Sequence, residues 1–340
     1  YGSWSELLGR TRPTVSSVKA ISGSLDAGLR ARLVAAYRSG HGTVITIPIP
    51  GVTSHVRSLP ALVYLPPQYG NPNVRQDFPV VEMLGGFPGG PQTWFKQLAL
   101  RQTIDASIRD GSSVPFILVA PTMNVALPRD TECVNVTHGP KAETYLSADV
   151  RRAVTTAFRA ERDRSHWGAM GYSTGGYCSL ELALHHPDLF SAAVSMSGYV
   201  YPAHDRTTGD LFGHSAARRL ENSPAWLLAH RPQPNVSLLV MTSRQDHHSF
   251  RDDHAFTRLA RAPLSMWTLT MARGGHNATF WRSLEPTAFG WLSRRLIAAL
   301  TPLPTVNGAQ PVQVPPVPDE PSRLPRHVAR PPVPGLRTGR

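Results

Sequence analysis

A serine between two glycines is the feature of this sequence with the clearest chemical potential. Ser173 lies in Gly171-Tyr172-Ser173-Thr174-Gly175, after an apolar segment and before a helical pattern. A serine on such a tight turn from strand to helix needs neighbours without side chains, because its backbone is strained. The dipole of the following helix favours the negative charge that develops there. The pattern predicts that Ser173 is a nucleophile, with an ordinary glycine-rich turn as the alternative.

A serine hydroxyl is a weak nucleophile and needs a histidine base and a carboxylate that orients the base. In the order expected along the chain, Asp246 follows one apolar segment, and His276 follows the next in a glycine-rich loop. We predict Ser173, Asp246 and His276 as a catalytic triad. Asp252 and Asp253 are alternatives for the acid, but their position is more typical of the acidic first turn of a helix.

Acyl transfer by a serine also needs two N–H groups that stabilise an oxyanion. The amide of Thr174, directly after the serine, is the first candidate. The second is the amide of Phe87, in the glycine-rich loop after the third apolar segment, with the Gly86 amide as the alternative. Gly86, Trp94 and Trp281 are predicted to line the substrate pocket, although the two tryptophans are equally typical of a core.

These residues need a scaffold, and the chain alternates short apolar segments with helical patterns. The predicted strands are Val44–Ile49, Ala61–Leu65, Pro79–Leu84, Pro115–Ala120, His166–Tyr172, Ala192–Ser197, Val236–Thr242 and Leu264–Met271. The main predicted helices are Ala142–Ala160, Thr174–His186 and Phe280–Leu300. Such alternation predicts one α/β domain with a mostly parallel sheet of about eight strands, flanked by helices.

The chain divides into three parts by composition. Residues 1–42 form an N-terminal extension with a short helix predicted around Leu25–Tyr37, and residues 43–300 form the catalytic domain. Within that domain, the irregular segment 199–234 is a candidate lid. Residues 301–340 contain eleven prolines, so this basic tail is predicted to be extended or disordered.

Composition excludes several other classes of protein. The 340 residues carry a net charge of +12, and only three of the 35 basic residues are lysines. The arginines are scattered without an aromatic stripe or a zinc-finger spacing, so we expect no nucleic-acid partner. The arginine bias is more typical of a bacterium with a GC-rich genome. No apolar run reaches the roughly 18–20 residues of a membrane span.

The order of these motifs resembles the esterase branch of the α/β-hydrolase superfamily, which holds esterase D, feruloyl esterases and the secreted mycolyltransferases of mycobacteria. The resemblance covers residues 43–300. It rests on the serine motif and on Val63-Tyr64-Leu65-Pro66-Pro67, Gly86-Phe87-Pro88-Gly89-Gly90-Pro91-Gln92-Thr93-Trp94 and Gly274-Gly275-His276-Asn277 with Trp281. It implies a Ser–Asp–His enzyme that acts on carboxylic esters through an acyl-enzyme, with no metal and no cofactor. Many relatives carry His-Gly or Asp-Gly where this chain has Gly85-Gly86.

The two cysteines bear on where the protein acts. Cys133 lies in a loop and Cys178 one turn into the predicted serine helix, and a disulfide between them would hold that loop beside the site. Two separate buried thiols are the alternative. A disulfide favours a secreted or envelope protein, whose membrane anchor would belong to a part that precedes Tyr1.

The resemblance leaves three functions open. We expect a secreted or envelope-associated esterase, with an envelope lipid or glycolipid among its candidate substrates. An acyltransferase that moves a fatty acyl group to a sugar hydroxyl would use the same acyl-enzyme. The third is a catalytically silent adhesin or scaffold. The histidines His247, His248 and His254 lack the spacing of a metal site, so no metal is expected there. The oligomeric state is left open.

Overall fold

An eight-stranded sheet organises the chain. The computed structural model describes residues 27–296, and its strands lie in the order β1-β2-β4-β3-β5-β6-β7-β8. They are β1 Thr43–Ile49, β2 Leu59–Leu65, β3 Val80–Leu84, β4 Ile117–Pro121, β5 Trp167–Tyr172, β6 Ala192–Met196, β7 Ser237–Ser243 and β8 Ser265–Met271. β2 is antiparallel to both β1 and β4, and the other neighbours are parallel. The predicted mostly parallel sheet is confirmed.

Helices cover both faces of this sheet. They are α1 Ala27–Ser39, α2 Pro91–Lys96, α3 Leu100–Arg109, α4 Ala142–Thr144, α5 Arg151–Ala157, α6 Thr174–His185, α7 Ala216–Glu221, α8 Pro224–His230, α9 His247–Thr257 and α10 Ala278–Leu296. One buried apolar cluster contains side chains of α1, α5 and α6, and a second contains side chains of α3 and α10. The inner strands are mostly apolar because both of their faces are buried, although β3 carries the buried Glu82 and β6 the buried Ser195.

The helix predicted over Ala142–Ala160 is interrupted. Between α4 and α5 the chain forms a π-helical segment, Tyr145–Val150, and the helix ends at Ala157. A π-helical turn holds more residues than an α-helical turn. Its buried Asp149 carboxylate accepts hydrogen bonds from the amides of Thr53 and Ser54, at 2.8 and 3.0 Å. This tertiary contact is not visible in the apolar periodicity that predicted a regular helix.

The predicted lid segment 199–234 begins irregularly and then forms α7 and α8. Arg129 fastens its first half, because the guanidinium donates hydrogen bonds to the carbonyls of Thr208 and Asp210, at 2.8 and 2.6 Å. A lid function for the segment stays a prediction. The Pro-rich tail 301–340 and the first 26 residues of the N-terminal extension lie outside the described residues. Within 27–296, no helix combines the length and apolarity needed to cross a bilayer.

The turn between β5 and α6 depends on two glycines. A Cβ atom at Gly171 would lie 1.9 Å from the carbonyl oxygen of Gly175, and one at Gly175 would lie 2.0 Å from the carbonyl oxygen of Leu84. Both positions face backbone, which cannot move aside as a flexible side chain can. The sequence predicted that this turn needs glycines. The structure shows why: the first turn of α6 lies very close to the ends of β3 and β5.

Substitution of Gly175 by alanine is expected to destabilise the fold. Forcing a methyl group against backbone costs about 3 kcal/mol, at the upper end of typical overpacking penalties, which corresponds to a fall of roughly 6–12 °C in the thermal midpoint of a domain of this size. Gly90→Ala is the matched control, because a Cβ atom there meets nothing within 4 Å. Differential scanning calorimetry of both variants checks the prediction, and equal midpoints would contradict it.

Candidate active site

Three parallel strands place the predicted triad residues at one edge of the sheet. Ser173 directly follows β5, Asp246 lies three residues after β7, and His276 lies in the loop after β8. The carboxyl ends of parallel strands meet at the same edge of a sheet, and loops there commonly form binding sites. Residues far apart in sequence are thereby brought together by strand order.

The three side chains form a continuous hydrogen-bonded chain. His276 Nε2 lies 2.8 Å from Ser173 Oγ, and His276 Nδ1 lies 2.8 Å from Asp246 Oδ2. Ser173 has φ +55° and ψ −125°, a backbone conformation that L-residues rarely adopt outside sites that require it. The histidine is thus placed to take a proton from the serine while its other nitrogen faces the carboxylate.

The electrostatics of Asp246 favour its ionised form. Burial by itself would raise the pKa of this carboxyl, but the hydrogen bond and the charge of His276 outweigh burial and hold the pKa below its usual value. Asp246 also caps α9, since its Oδ1 accepts a hydrogen bond from the Ser249 amide at 3.4 Å. An ionised, buried carboxylate can orient the imidazole and stabilise an imidazolium.

The structure corrects the interpretation of the two rival aspartates. Asp252 and Asp253 lie in the second half of α9 and not in its first turn. Asp252 Oδ2 pairs with His248 Nδ1 at 3.5 Å, and Asp253 is buried. The residue at the N-terminus of the helix is Asp246 itself. The acidic cluster suggested a helix start, but the helix begins at His247, five residues before Asp252.

Two residues that the sequence analysis did not single out hold the loop of His276. The Gly275 amide donates to Ser243 Oγ, and the Gly274 amide donates to Gln245 Oε1, each at 2.9 Å. Ser243 is the last residue of β7, and Gln245 lies two residues after it, just before Asp246. Gly275 has φ +97°, which favours glycine. The histidine loop is therefore fastened to the same segment that carries the acid.

The predicted pocket tryptophans lie beneath the site. Trp281 meets the His276 ring edge-on, with centroids 5.0 Å apart, and it stacks on Tyr172 at 4.6 Å. Tyr172 in turn contacts Trp94 edge-on at 4.9 Å. Trp94 has no exposed surface and Trp281 is only 9% exposed. Trp94 therefore belongs to the core and does not line a substrate pocket, whereas Trp281 packs against the imidazole of His276.

Thr174 and the alternative oxyanion residue Gly86 lie next to the serine. Thr174 is the first residue of α6, so its amide has no acceptor within the helix. A Cβ atom at Gly86 would lie 3.1 Å from Ser173 Cβ, so the glycine-rich loop passes close to this serine. Phe87 is the next residue along this loop. The assignment of the Phe87 and Thr174 amides to an oxyanion hole stays a prediction.

A disulfide joins Cys133 to Cys178, with their Cα atoms 5.9 Å apart. Glu132, the neighbouring residue, is buried and accepts hydrogen bonds from the Tyr199 hydroxyl at 2.5 Å and the Ala203 amide at 3.1 Å. Burial, and then the charge of nearby carboxylates, raise the pKa of Glu132 to about 8. The disulfide and Glu132 together fasten the start of the 199–234 segment to α6. No sequence motif marked this carboxylate.

Comparison with known proteins identifies the family. The model of the Esterase family matches residues 54–284, which is more than half of the chain and contains Ser173, Asp246 and His276. The chain belongs to the Esterase family. Sequence relatives of this family member occur in corynebacteria and mycobacteria. An uncharacterized protein of Corynebacterium glutamicum is 26% identical over 269 residues, which are 75% of this chain and 62% of that protein. The chain thus spans less than two thirds of that relative.

A shorter stretch of this family member matches a mycobacterial antigen at higher identity. The MPT51/MPB51 antigen of Mycobacterium tuberculosis is 40% identical over 67 residues, which are 20% of this chain and 22% of the antigen.

Solved structures show the same architecture. A ferulic acid esterase matches with a TM-score of 0.64 and 20% identity, over 75% of this chain and 99% of that chain. An S-formylglutathione hydrolase from Agrobacterium tumefaciens matches with a TM-score of 0.64 and 15% identity, over 75% of this chain and 96% of that chain. MPT51 of Mycobacterium tuberculosis matches with a TM-score of 0.58 and 18% identity, over 74% of this chain and 97% of that chain. The predicted resemblance to the esterase branch of the α/β-hydrolases is confirmed, and with it the fold.

Proposed function

We propose that this protein is a serine esterase that cleaves carboxylic esters through an acyl-enzyme. The observation that carries the proposal is the pair of 2.8 Å contacts that link Ser173 to His276 and His276 to Asp246. The Esterase family match over residues 54–284 supports the same class of reaction. The ester specificity is a separate matter, since the structural relatives share at most 20% of their residues with this chain.

The reaction follows from the positions of the three side chains. Ser173 Oγ attacks the ester carbonyl carbon while its proton passes to His276 Nε2, and Asp246 stabilises the imidazolium. The Thr174 and Phe87 amides are proposed to hold the oxyanion. His276 then gives its proton to the leaving alcohol, and an acyl-enzyme remains. Water, deprotonated by His276, attacks the acyl carbon and releases the carboxylic acid, and the proton returns to Ser173.

Acyl transfer is the second candidate, because an alcohol can replace water in the last step. The match of 67 residues to MPT51 at 40% identity, with the motif resemblance to mycolyltransferases, favours a test of sugar acceptors. The His276 side chain is 44% exposed, so solvent or an alcohol can approach the catalytic nitrogen. An envelope lipid or glycolipid is the substrate class that we propose for either reaction.

We also propose that the protein acts outside the cytosol, in a secreted or envelope-associated form. Cys133 and Cys178 are both fully buried and paired in a disulfide. Structural disulfides persist in oxidising compartments and are rare in reducing cytosol. The corynebacterial and mycobacterial relatives agree with the bacterial, GC-rich source that the arginine bias predicts.

A fluorophosphonate probe and a series of p-nitrophenyl esters of increasing chain length test the function. The fluorophosphonate is expected to label folded protein once per chain and not to label heat-denatured protein. With the p-nitrophenyl esters, p-nitrophenol should appear in a burst when deacylation of the acyl-enzyme is slow. Turnover with trehalose present separates the two reactions, because an esterase yields free acid and an acyltransferase yields a sugar ester. A folded protein that neither labels nor turns over any ester would favour the silent scaffold instead.

A further inference from the structure

Four titratable side chains meet at the end of α6 that is remote from Ser173. Glu181 and His185 are one turn apart on α6, Glu143 comes from α4, and His186 follows α6 directly. Glu143, Glu181 and His185 each offer a ligand atom, and these atoms all lie within 4.8 Å of one another. Because His185 is twelve residues after the nucleophile, the cluster is about 18 Å from it along the helix. The triad does not use it.

The spacing of these atoms suits a small dication. His185 Nδ1 lies 3.0 Å from Glu181 Oε1 and 3.4 Å from Glu143 Oε1. A tetrahedral zinc ion with bonds of roughly 2.0–2.1 Å needs ligand atoms about 3.3 Å apart. Imidazole nitrogen and carboxylate oxygen are both usual zinc ligands. The three atoms can therefore surround one ion with small shifts of their side chains.

The groups around the cluster are those that commonly orient metal ligands. The other ring nitrogen of His185, Nε2, lies 2.8 Å from the carbonyl oxygen of Glu221. A hydrogen bond to a carbonyl there fixes the tautomer that leaves Nδ1 free to bind a metal. His186 Nε2 lies 2.9 Å from Glu143 Oε1, so this histidine orients the ligating carboxylate.

The burial of Glu181 is a second, independent observation. Its side chain has no exposed surface, and within residues 27–296 its Oε2 atom has no hydrogen-bond partner. A carboxylate in such a place needs a compensating charge. His185 Nδ1 lies 3.0 Å from this carboxylate, and a dication bound between the two groups supplies that charge.

We propose that Glu143, Glu181 and His185 form a zinc site, with water as the fourth ligand and His186 as a positioning residue. Side-chain exposures of 16% for Glu143 and 20% for His185 leave a path for the ion. The site would join α4, the end of α6 and, through the Glu221 carbonyl, the end of α7 in the 199–234 segment. It is structural, and it does not depend on the proposed esterase activity.

Titration of the full chain, freed of any affinity tag and stripped of metal, tests the site. Isothermal calorimetry with Zn²⁺ is expected to give one ion per chain, and the thermal midpoint should rise with zinc concentration. Glu181→Gln and His185→Gln should weaken binding by more than about 100-fold, and His186→Gln by roughly 10–100-fold, the usual effect of losing an outer partner. His248→Gln is the matched control, because His248 is exposed and distant in sequence from the cluster. The zinc affinity of this variant should equal that of the wild type.

Cobalt keeps the test decisive if a variant fails to fold. Co²⁺ bound to the wild-type protein should show the intense visible absorption of a four-coordinate ion, and Zn²⁺ should displace it. The proposal is overturned if the wild type binds no zinc, if Glu181→Gln and His185→Gln bind it as tightly as the wild type, or if His248→Gln alone removes binding. A weak six-coordinate cobalt spectrum would overturn it as well.

Discussion

Ser173→Ala is expected to lower the turnover of p-nitrophenyl butyrate by about 10⁶-fold and to abolish fluorophosphonate labelling. The hydroxyl is the atom that His276 Nε2 faces at 2.8 Å, and alanine has no group that can form the acyl-enzyme. The variant should retain a rate roughly 10³–10⁴-fold above the uncatalysed reaction in water, which substrate binding and the oxyanion contacts supply by themselves. The steady-state rate and the mass of the labelled protein are the measurements.

The matched control for this variant is Ser191→Ala. Ser191 is half-buried at the start of the neighbouring strand, and its hydroxyl makes only long contacts, 3.3 and 3.4 Å, to backbone carbonyls. Its removal should leave turnover and labelling unchanged. Both variants should keep the wild-type thermal midpoint. Unchanged turnover in Ser173→Ala would reject the triad, and equal losses in the two variants would indicate a general defect in folding.

Asp246→Asn is expected to lower kcat by about 10⁴-fold, with little change in the fold. The amide keeps the size of the carboxylate but has an N–H group that can face His276 Nδ1. Nδ1 would then accept a hydrogen bond from this amide, and the ring proton of His276 would move to Nε2. Nε2 is the nitrogen that must take the proton of Ser173. The neutral amide also cannot stabilise the imidazolium. The measurement is kcat for p-nitrophenyl butyrate in the wild type and the variant.

Asp252→Asn is the control for this change, because Asp252 pairs with His248, whereas Asp246 pairs with His276. Its kcat should stay within about threefold of the wild type, because asparagine keeps the size of the side chain and the change removes a charge that pairs with His248. A large loss in Asp252→Asn with little loss in Asp246→Asn would assign the acid to the second half of α9. The sequence had left that alternative open.

Local sequence predicted the elements that depend on near neighbours. The apolar strands, the break after His185 and the tight turn at Ser173 follow from residues a few positions apart, and each lies within a few residues of its predicted place. The glycines at 171 and 175 are required by contacts of about 2 Å with backbone. Part of that contact, to Leu84, is long-range. The strand-to-helix pattern predicted the tight turn but not this partner.

Long-range packing decided what local pattern could not. Trp94 and Trp281 have the same residue type and similar predicted proximity, yet only Trp281 contacts His276. The π-helical turn contains the buried acceptor Asp149, and periodicity carries no signal for its contact with residues about a hundred positions away. Glu132 and the cluster around Glu181 were also missed, because their partners come from separate segments.

The amino-acid order by itself determined the alternation of strands and helices, the strained turn that exposes one serine, and the succession of serine, acid and base. These depend on backbone sterics and on burial of neighbouring side chains. Only the tertiary structure decided that β5, β7 and β8 end at one edge, that Asp246 rather than Asp252 or Asp253 faces the imidazole, and that Trp94 is core. Distances between remote residues depend on strand order and register, which are set by packing of the whole domain.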